Sequence, residues 1–139
     1  MPLRMLLILA LAVCCAACHT PPKEAQHTSA KTGDAAFQSF VAQVRKAVAK
    51  RDMQLLASMM TPDFGYRLEP VGEGPGVFQY WDQNSLWHEL QLILNERFVP
   101  NGAYMVAPPQ FATDPQYHGY RAGFTQVNGV WKFAYFVSG

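Results

Sequence analysis

Cysteine is nearly absent from this chain of 139 residues, and its three copies lie together in the stretch CCAACH, as Cys14, Cys15 and Cys18. The rest of the chain therefore has no disulfide framework and no thiolate ligands for zinc. The stretch also spells C-x-x-C-H, the attachment pattern for a c-type haem. A haem would need both thiols inside a folded pocket, whereas this motif directly follows an apolar run. We therefore expect neither haem nor metal, and no other cofactor.

Basic residues are also sparse, and they form no stripe along the chain. The 11 basic and 10 acidic residues give a net charge of +1, and the basic runs end at the pairs Arg45-Lys46 and Lys50-Arg51. A nucleic-acid interface needs a denser basic surface, so we expect no nucleic-acid partner. Half of the residues are hydrophobic, which is enough to form the core of one domain.

The N-terminus has the order of a secretory signal peptide. Arg4 precedes the apolar run Met5–Val13, and small residues follow it up to Cys18. The uncharged stretch from Met5 to Cys18 is shorter than the roughly 20 residues that span a bilayer as a helix. We therefore expect export rather than a permanent transmembrane helix.

The end of this run, Ala16-Ala17-Cys18, resembles the lipobox of bacterial lipoproteins, although Cys15 stands where leucine is usual. The resemblance implies that residues 1–17 are removed and that Cys18 is acylated, with palmitate or a similar fatty acid, and anchored in the lipid bilayer. His19 after the cysteine is compatible with the periplasmic face of the outer membrane. In that reading the mature domain has no thiol chemistry.

A linker separates this anchor from one domain. Residues 19–33 contain no large apolar side chain and are rich in Pro, Thr, Ser and Lys, which is typical of a flexible tether. The sequence thus predicts a lipoprotein signal peptide at 1–17, a flexible tether at 18–33 and a domain at 34–139.

Three amphipathic helices are predicted in this domain. Asp34 and Asp52 are expected N-caps of the first two, Thr61-Pro62 ends the second, and the third runs from about Ser85 towards Pro100. Apolar residues at helical spacing support them: Phe37, Phe40, Val41, Val44 and Val48; Leu55, Leu56, Met59 and Met60; Leu86, Leu90, Ile93, Leu94 and Phe98.

Strands are predicted between and after these helices. Residues 63–71 form a strand, the glycine-rich residues 72–76 a flexible turn, VFQYW at 77–81 a short return strand, and AYMVAPP at 103–109 another strand followed by a loop. Asn128-Gly129 predicts a two-residue hairpin turn near the C-terminus. If Val127 pairs with Val130, Phe124 faces Phe133.

Strand alternation then divides this hairpin into two faces. The bulky face, which we expect to receive the helices, holds Tyr120, Ala122, Phe124, Gln126, Trp131, Phe133, Tyr135 and Val137. The smaller, more mixed face holds Arg121, Gly123, Thr125, Val127, Val130, Lys132, Ala134 and Phe136.

The order of these elements, with FVAQVRKAVAKRDMQLLASMMTPDF at the start and NGVWKFAYFVSG at the end, resembles the nuclear transport factor 2-like superfamily. The resemblance covers most of residues 34–139. It implies an α+β fold in which a curved antiparallel sheet wraps around the N-terminal helices as a cone, or cystatin-like roll, with a cavity inside. Members include ketosteroid isomerases, scytalone dehydratases and many non-catalytic binding proteins, so no catalytic residue is carried over.

Such a cavity would be lined by aromatic side chains and would contain a few ionisable groups. The candidates for its lining are Tyr66, Tyr80, Tyr104, Tyr120, Phe124, Trp131, Phe133 and Tyr135. Asp63, His88 and Glu89 are the candidates for proton transfer. Asp63 also fits a turn after Pro62, and His88 and Glu89 also fit a solvated helix face, where they point about 100° apart.

Three function classes remain open on this sequence. The first, which we favour, is a tethered envelope protein whose domain binds a small apolar ligand or an envelope protein without catalysis. The second is a small-molecule enzyme of the isomerase, dehydratase or hydrolase type that uses an acidic residue or a histidine in the cavity. The third is a periplasmic immunity or inhibitor lipoprotein. Each is compatible with a homodimer.

Overall fold

The computed structural model describes residues 24–64 and 76–139, with side chains from residue 34 onward. Helices and strands are both present, so the predicted α+β class is confirmed. The elements in chain order are α1 (Glu24–Lys50), α2 (Met53–Met59), α3 (Val77–Gln83), α4 (Leu86–Asn95), β1 (Val99–Asn101), β2 (Tyr104–Ala107), α5 (Gln110–Thr113), β3 (Arg121–Val127) and β4 (Val130–Val137).

The four strands form one antiparallel sheet in the order β1-β2-β3-β4. Residues of α1, α2, α3 and α4 share one buried cluster with residues of β2, β3 and β4. We call the side of the sheet that meets this cluster the helix-packed face and the opposite side the second face. The helix-packed face carries Ala122, Phe124, Phe133 and Phe136 into the core.

The first helix begins earlier than the sequence predicts. It starts at Glu24, so Asp34 lies inside it and is not its N-cap, and residues 24–33 of the predicted tether are helical. Glu24, Gln26, Lys31 and two alanines in this segment have high helix propensity, and no proline follows Pro22 before the helix ends. The predicted stripe is confirmed, because Phe37, Val41 and Val48 are buried. The signal peptide and Cys18 lie outside the described residues.

The second helix confirms its predicted cap. The Asp52 carboxylate accepts a hydrogen bond from the backbone N–H of Leu55 at 3.0 Å, in the pattern that satisfies a free donor at a helix N-terminus. Leu56 and Met59 are buried, whereas Leu55 is exposed. Met60 lies at the C-cap with extended backbone and still packs against the core, so the predicted four-residue stripe is wrong only at Leu55.

The predicted return strand at 77–81 is wrong, because this segment is helix α3. Val77, Phe78 and Trp81 fall on one side at helical spacing, and Trp81 is completely buried against Trp87 of α4, with ring centroids 5.1 Å apart. Packing against α4 therefore overrides the β propensity of Val, Phe, Tyr and Trp. Of the strand predicted at 63–71, Asp63 and Phe64 lie in a turn, and 65–71 lie outside the described residues, as do 72–75 of the glycine-rich turn.

The third predicted helix is confirmed as α4, but it ends at Asn95 and not near Pro100. Phe98 follows it in the connection to β1 and still packs on the core, with its ring 5.1 Å from that of Phe124. The predicted strand at 103–109 is confirmed as β2. Its partner β1 was not predicted, although Asn101-Gly102, with φ +59° at the glycine, is a hairpin signal. The short helix α5 was expected to be loop.

The C-terminal hairpin has the predicted turn and half of the predicted register. Val127 pairs with Val130 and Phe124 with Phe133, with Asn128 at φ +52°. A β-bulge then leaves Ala134 as an extra residue, so that Gly123 faces Tyr135 and Ala122 faces Phe136. The predicted pairs of Ala122 with Tyr135 and of Tyr120 with Val137 are therefore wrong. A bulge places two residues against one and reverses the alternation beyond it.

The space between the helices and the sheet is filled by aromatic rings. Phe124 stacks on Phe133 at 4.9 Å, and Phe37 of α1 meets Trp131 at 4.7 Å. Phe64 reaches the same cluster from the turn after α2 and contacts Phe133 at 4.8 Å. Edge-on and stacked contacts of this kind add to the stability that burial provides. Arg45 joins α1 to the end of α4 by donating to the carbonyl oxygen of Leu94 at 2.7 Å.

Candidate functional site

A cavity of about 590 Å³ lies on the second face of the sheet. This volume is within the range of small-molecule sites, which is about 300–1,000 Å³. Its lining combines aromatic and aliphatic side chains with two charged groups: Thr61, Pro62, Asp63, Tyr104, Phe111, Arg121, Thr125, Val127, Ala134, Tyr135 and Val137. We call it the sheet cavity.

The bulge in β4 decides which aromatic ring enters this cavity. Without it, Tyr135 would share the face of Phe133 and point at the helices. With it, Phe136 takes the buried position and Tyr135 lines the sheet cavity. Gly123 makes room for this ring, because a Cβ atom at that position would overlap the ring of Tyr135.

The two tyrosines form one wall of the sheet cavity. The ring of Tyr135 meets that of Tyr104 edge-on, with centroids 5.4 Å apart. Burial raises the pKa of Tyr135 to about 12, and the nearby Tyr104 adds to the increase while Arg121 opposes it. The Tyr135 hydroxyl therefore stays protonated and neutral over the physiological pH range.

Arg121 lies at one end of the sheet cavity, at the start of β3. Its guanidinium lies over the ring of Phe111 from α5, 4.6 Å from the centroid, in cation–π geometry. One terminal nitrogen donates to the backbone oxygen of Gly139 at 2.7 Å. Across the described ranges no carboxylate side chain forms an ion pair with Arg121, so its remaining N–H groups are available to a ligand.

The turn after α2 lies at another part of the cavity. The N–H of Thr61 donates to the carbonyl oxygen of Phe133 at 2.9 Å, which holds this turn against the free edge of β4, and the N–H of Phe64 donates to the oxygen of Thr61 at 3.1 Å. Asp63 is exposed on the turn. Thr61 is 8% exposed, and its hydroxyl oxygen has no hydrogen-bond partner among the described residues.

Three of the candidates named from the sequence line this cavity: Asp63, Tyr104 and Tyr135. The structure places the other candidates elsewhere. Tyr80 is exposed on α3, and His88 is exposed on α4 beside the half-buried Glu89. Tyr66 lies outside the described residues.

The remaining aromatic candidates belong to the packed core. Phe124 and Phe133 are completely buried, Trp131 packs on Phe37, and Tyr120 stacks on Phe136 at 5.3 Å. They fill the space that the sequence reasoning expected to be hollow.

Several cavity residues were not among the candidates named for the cavity lining. Thr61 and Phe111 lie in segments that the sequence predicted as a helix end and a loop. Arg121 and Thr125 were assigned to the mixed face of the hairpin, and that alternation was the available signal, since residues 121, 125 and 127 point to one side of β3. That these β3 residues lie beside the turn after α2 depends on tertiary contacts, which the sequence pattern does not show.

A second cavity of about 440 Å³ lies between α1, α2 and the tip of the hairpin. It is lined by Phe40, Gln43, Met59, Trp131 and Lys132, among others. Lys132 already donates from its ammonium group to the carbonyl oxygen of Ser58 at 2.9 Å. Because its charge is engaged by the protein, this cavity offers fewer ligand contacts than the sheet cavity.

In the described part of the chain, no group of three or more His, Cys, Asp or Glu side chains is placed to hold a metal ion. None of the helices from Glu24 onward is long and apolar enough to cross a membrane.

Comparisons of the chain with models of protein families, with curated proteins and with solved structures found no match. The properties of the site therefore carry the functional argument.

Proposed function

We propose that this chain is a lipid-anchored protein of the cell envelope whose domain binds a small molecule, without catalysis, in the sheet cavity. The observation that carries the proposal is the composition of that cavity. Aromatic and aliphatic walls with a few polar groups are typical of ligand sites, because the walls supply affinity and the polar groups fix orientation. Tyr104, Phe111 and Tyr135 supply the walls, and Asp63 and Arg121 the polar groups.

The cavity lining favours binding over catalysis. It contains no histidine, cysteine or lysine among the described residues, and Asp63 is its one carboxylate. That carboxylate is exposed to solvent, whereas a proton-transfer carboxylate is usually held in an apolar pocket. Burial raises the pKa of Tyr135 to about 12, so at physiological pH its hydroxyl is a hydrogen-bond donor rather than a base.

The cone-shaped fold and the anchor are parts of the same proposal. The order of helices and strands, and the packing of α1 to α4 on one face of the sheet, support a relation to the nuclear transport factor 2-like superfamily. The apolar run and the lipobox-like Ala16-Ala17-Cys18 support acylation of Cys18. Mass spectrometry of the mature N-terminus tests the anchor. A chain that retains residues 1–17 with unmodified Cys18 would contradict it.

Binding is tested by amide chemical shifts of the full chain titrated with a set of small apolar and amphipathic molecules. We expect shifts at Thr125, Ala134 and Tyr135. Ala134→Trp should abolish them, because the indole fills the cavity. Gln43→Trp is the matched control, since it places the same side chain at the second cavity. Shifts that survive Ala134→Trp, or no shifts with any compound, would contradict binding at the sheet cavity.

The enzyme hypothesis remains a second candidate because Asp63 lines the cavity. If Asp63 transfers protons during turnover, Asp63→Asn should abolish conversion of a bound compound while an uncharged ligand still binds. If Asp63→Asn abolishes neither conversion nor binding, Asp63 does not transfer protons and binding remains the proposed function. The inhibitor-type hypothesis draws no support from the cavity, and a stoichiometric envelope partner captured by the full chain is the result that would favour it.

A further inference from the structure

We propose that the ligand of the sheet cavity is a short peptide of two or three residues with free termini, with its ammonium group at Asp63 and its carboxylate at Arg121. This inference rests on the proposed binding function and names the class of ligand. It follows from two features: a carboxylate and a guanidinium that share one cavity, and the length of strand between the two charged ends.

The acidic end offers the carboxylate of Asp63 to an ammonium group. This residue is exposed on the turn after α2 and lines the cavity. The turn is held in place by the bond from Thr61 to Phe133, so the site exists before the ligand binds.

The basic end is equally prepared for a carboxylate. The ring of Phe111 and the backbone oxygen of Gly139 orient the Arg121 guanidinium, which keeps donors free for a bidentate bond. Arginine presents its donors in a planar fork that matches carboxylate geometry. Since Asp63 carries the opposite charge in the same cavity, a ligand with both charges satisfies both groups, whereas a simple anion or cation satisfies one.

The spacing of the two ends favours a ligand longer than a single amino acid. Thr61 is tied to β4 at Phe133, which faces Phe124, and Arg121 lies three residues from Phe124 along β3. Three residues of strand span about 10 Å. The ammonium and carboxylate of an amino acid share one carbon atom, whereas an extended tripeptide spans at most about 10 Å. The side chains of Asp63 and Arg121, which both line the cavity, shorten the distance that the ligand has to span.

The test compares peptides that differ in one charge. Isothermal titration calorimetry on the full chain would use Ala-Phe-Ala with free termini, its N-acetyl form and its C-terminal amide. Charge-assisted hydrogen bonds are worth about a tenfold to hundredfold change in affinity. We therefore expect each blocked peptide to bind at least about tenfold more weakly than the free peptide, and free phenylalanine to bind more weakly still.

Two variants assign the charges to their residues. Asp63→Asn should weaken binding of the free peptide about tenfold and leave the affinity for the N-acetyl form unchanged. Arg121→Gln should also weaken binding of the free peptide about tenfold, but it should leave the affinity for the C-terminal amide unchanged. Asp34→Asn and Arg97→Gln remove the same charges outside the cavity and should change nothing. Thermal melts confirm that each variant is folded, and the blocked peptides test the proposal on the unaltered chain if Arg121→Gln does not fold.

The outcomes separate this inference from the proposed function. Equal affinity for free and blocked peptides would overturn the peptide assignment, while apolar compounds that still shift Ala134 and Tyr135 would preserve the binding function. If no compound of any class binds at the cavity, both fail.

Discussion

Gly123 and Tyr135 face each other on adjacent strands of the sheet. The tyrosine ring occupies the space in which any other residue at position 123 would carry its Cβ atom. An aromatic ring that covers a strand glycine shields its backbone and adds cross-strand contact. The two residues therefore act as one unit, in which the glycine determines where the ring of the cavity wall lies.

Gly123→Ala should destabilise the domain by roughly 1–3 kcal/mol, because the added methyl group forces the ring of Tyr135 to move. The free energy of unfolding is measured by denaturant titration. In a Tyr135→Ala background the same substitution should cost much less, since the ring is gone. Equal costs in the two backgrounds would show that the ring does not lie over the glycine.

The pKa of Tyr135 gives a signature in alkaline solution. Its pKa is raised by burial to about 12 in the folded chain, against about 10 for an unfolded tyrosine. Between these values the unfolded chain loses a proton that the folded chain keeps, so the free energy of unfolding should fall as pH rises from 10 to 12. Below pH 10 this contribution is fully present.

Denaturant titrations at several pH values check this slope. Tyr135→Phe, which has no ionisable hydroxyl, should make it shallower, whereas Tyr80→Phe, at an exposed position, should leave the slope as it is. An unaltered slope in Tyr135→Phe would contradict the assigned pKa.

At the scale of elements, α2 depends on its cap. Seven residues form a helix too short to be stable alone, so its first turn relies on the bond between Asp52 and Leu55 and on the burial of Leu56 and Met59. Because α2 leads into the turn that carries Thr61 and Asp63, its cap also helps to position one end of the cavity.

Asp52→Ala should lower the free energy of unfolding by about 0.5–2 kcal/mol, because an N–H group at the helix start loses its acceptor. Asp34→Ala is the matched control: Asp34 lies inside α1 and is exposed, so we expect a change below about 0.5 kcal/mol. Thermal or chemical unfolding measures both. A larger cost for Asp34→Ala would indicate that α1 begins at residue 34 after all.

Elements differ in how well the sequence predicts them. The stripe of α1, the cap of α2 and the Asn128-Gly129 turn follow from local rules and were predicted. Helix α3 was not, because Val, Phe, Tyr and Trp suit a strand, and its contact with Trp87 decides otherwise. Phe98 continues the helical spacing of α4 in sequence, yet the helix ends at Asn95, and the ring of Phe98 reaches the core from the connection between α4 and β1.

At the scale of the whole molecule, the aromatic cluster between the helices and the sheet supplies the core. Phe124 is central to it, because it contacts Phe37, Phe98 and Phe133 and is fully buried. The stability of a domain is about 5–15 kcal/mol, so the loss of one such ring is a large part of the total.

Phe124→Ala should cost about 3–5 kcal/mol, as a large cavity replaces the ring. Val130→Ala, at a residue 58% exposed, should cost less than about 1 kcal/mol. The comparison tests whether Phe124 is a core residue or lines a ligand cavity. If Phe124 lined a ligand cavity, Phe124→Ala would alter ligand binding with little change in the free energy of unfolding. Denaturant unfolding with and without ligand provides the measurement.

The sequence by itself determined the α+β class, the helix stripes, the cap at Asp52, the strand β2 and the C-terminal turn, because each depends on residues close together in the chain. The tertiary structure decided which face holds the cavity. Ala134 is accommodated as a bulge, Phe136 enters the core, and Tyr135 turns to the second face opposite Gly123. A single extra residue reverses a strand's alternation, and its position depends on the packing of distant rings, which local spacing does not encode.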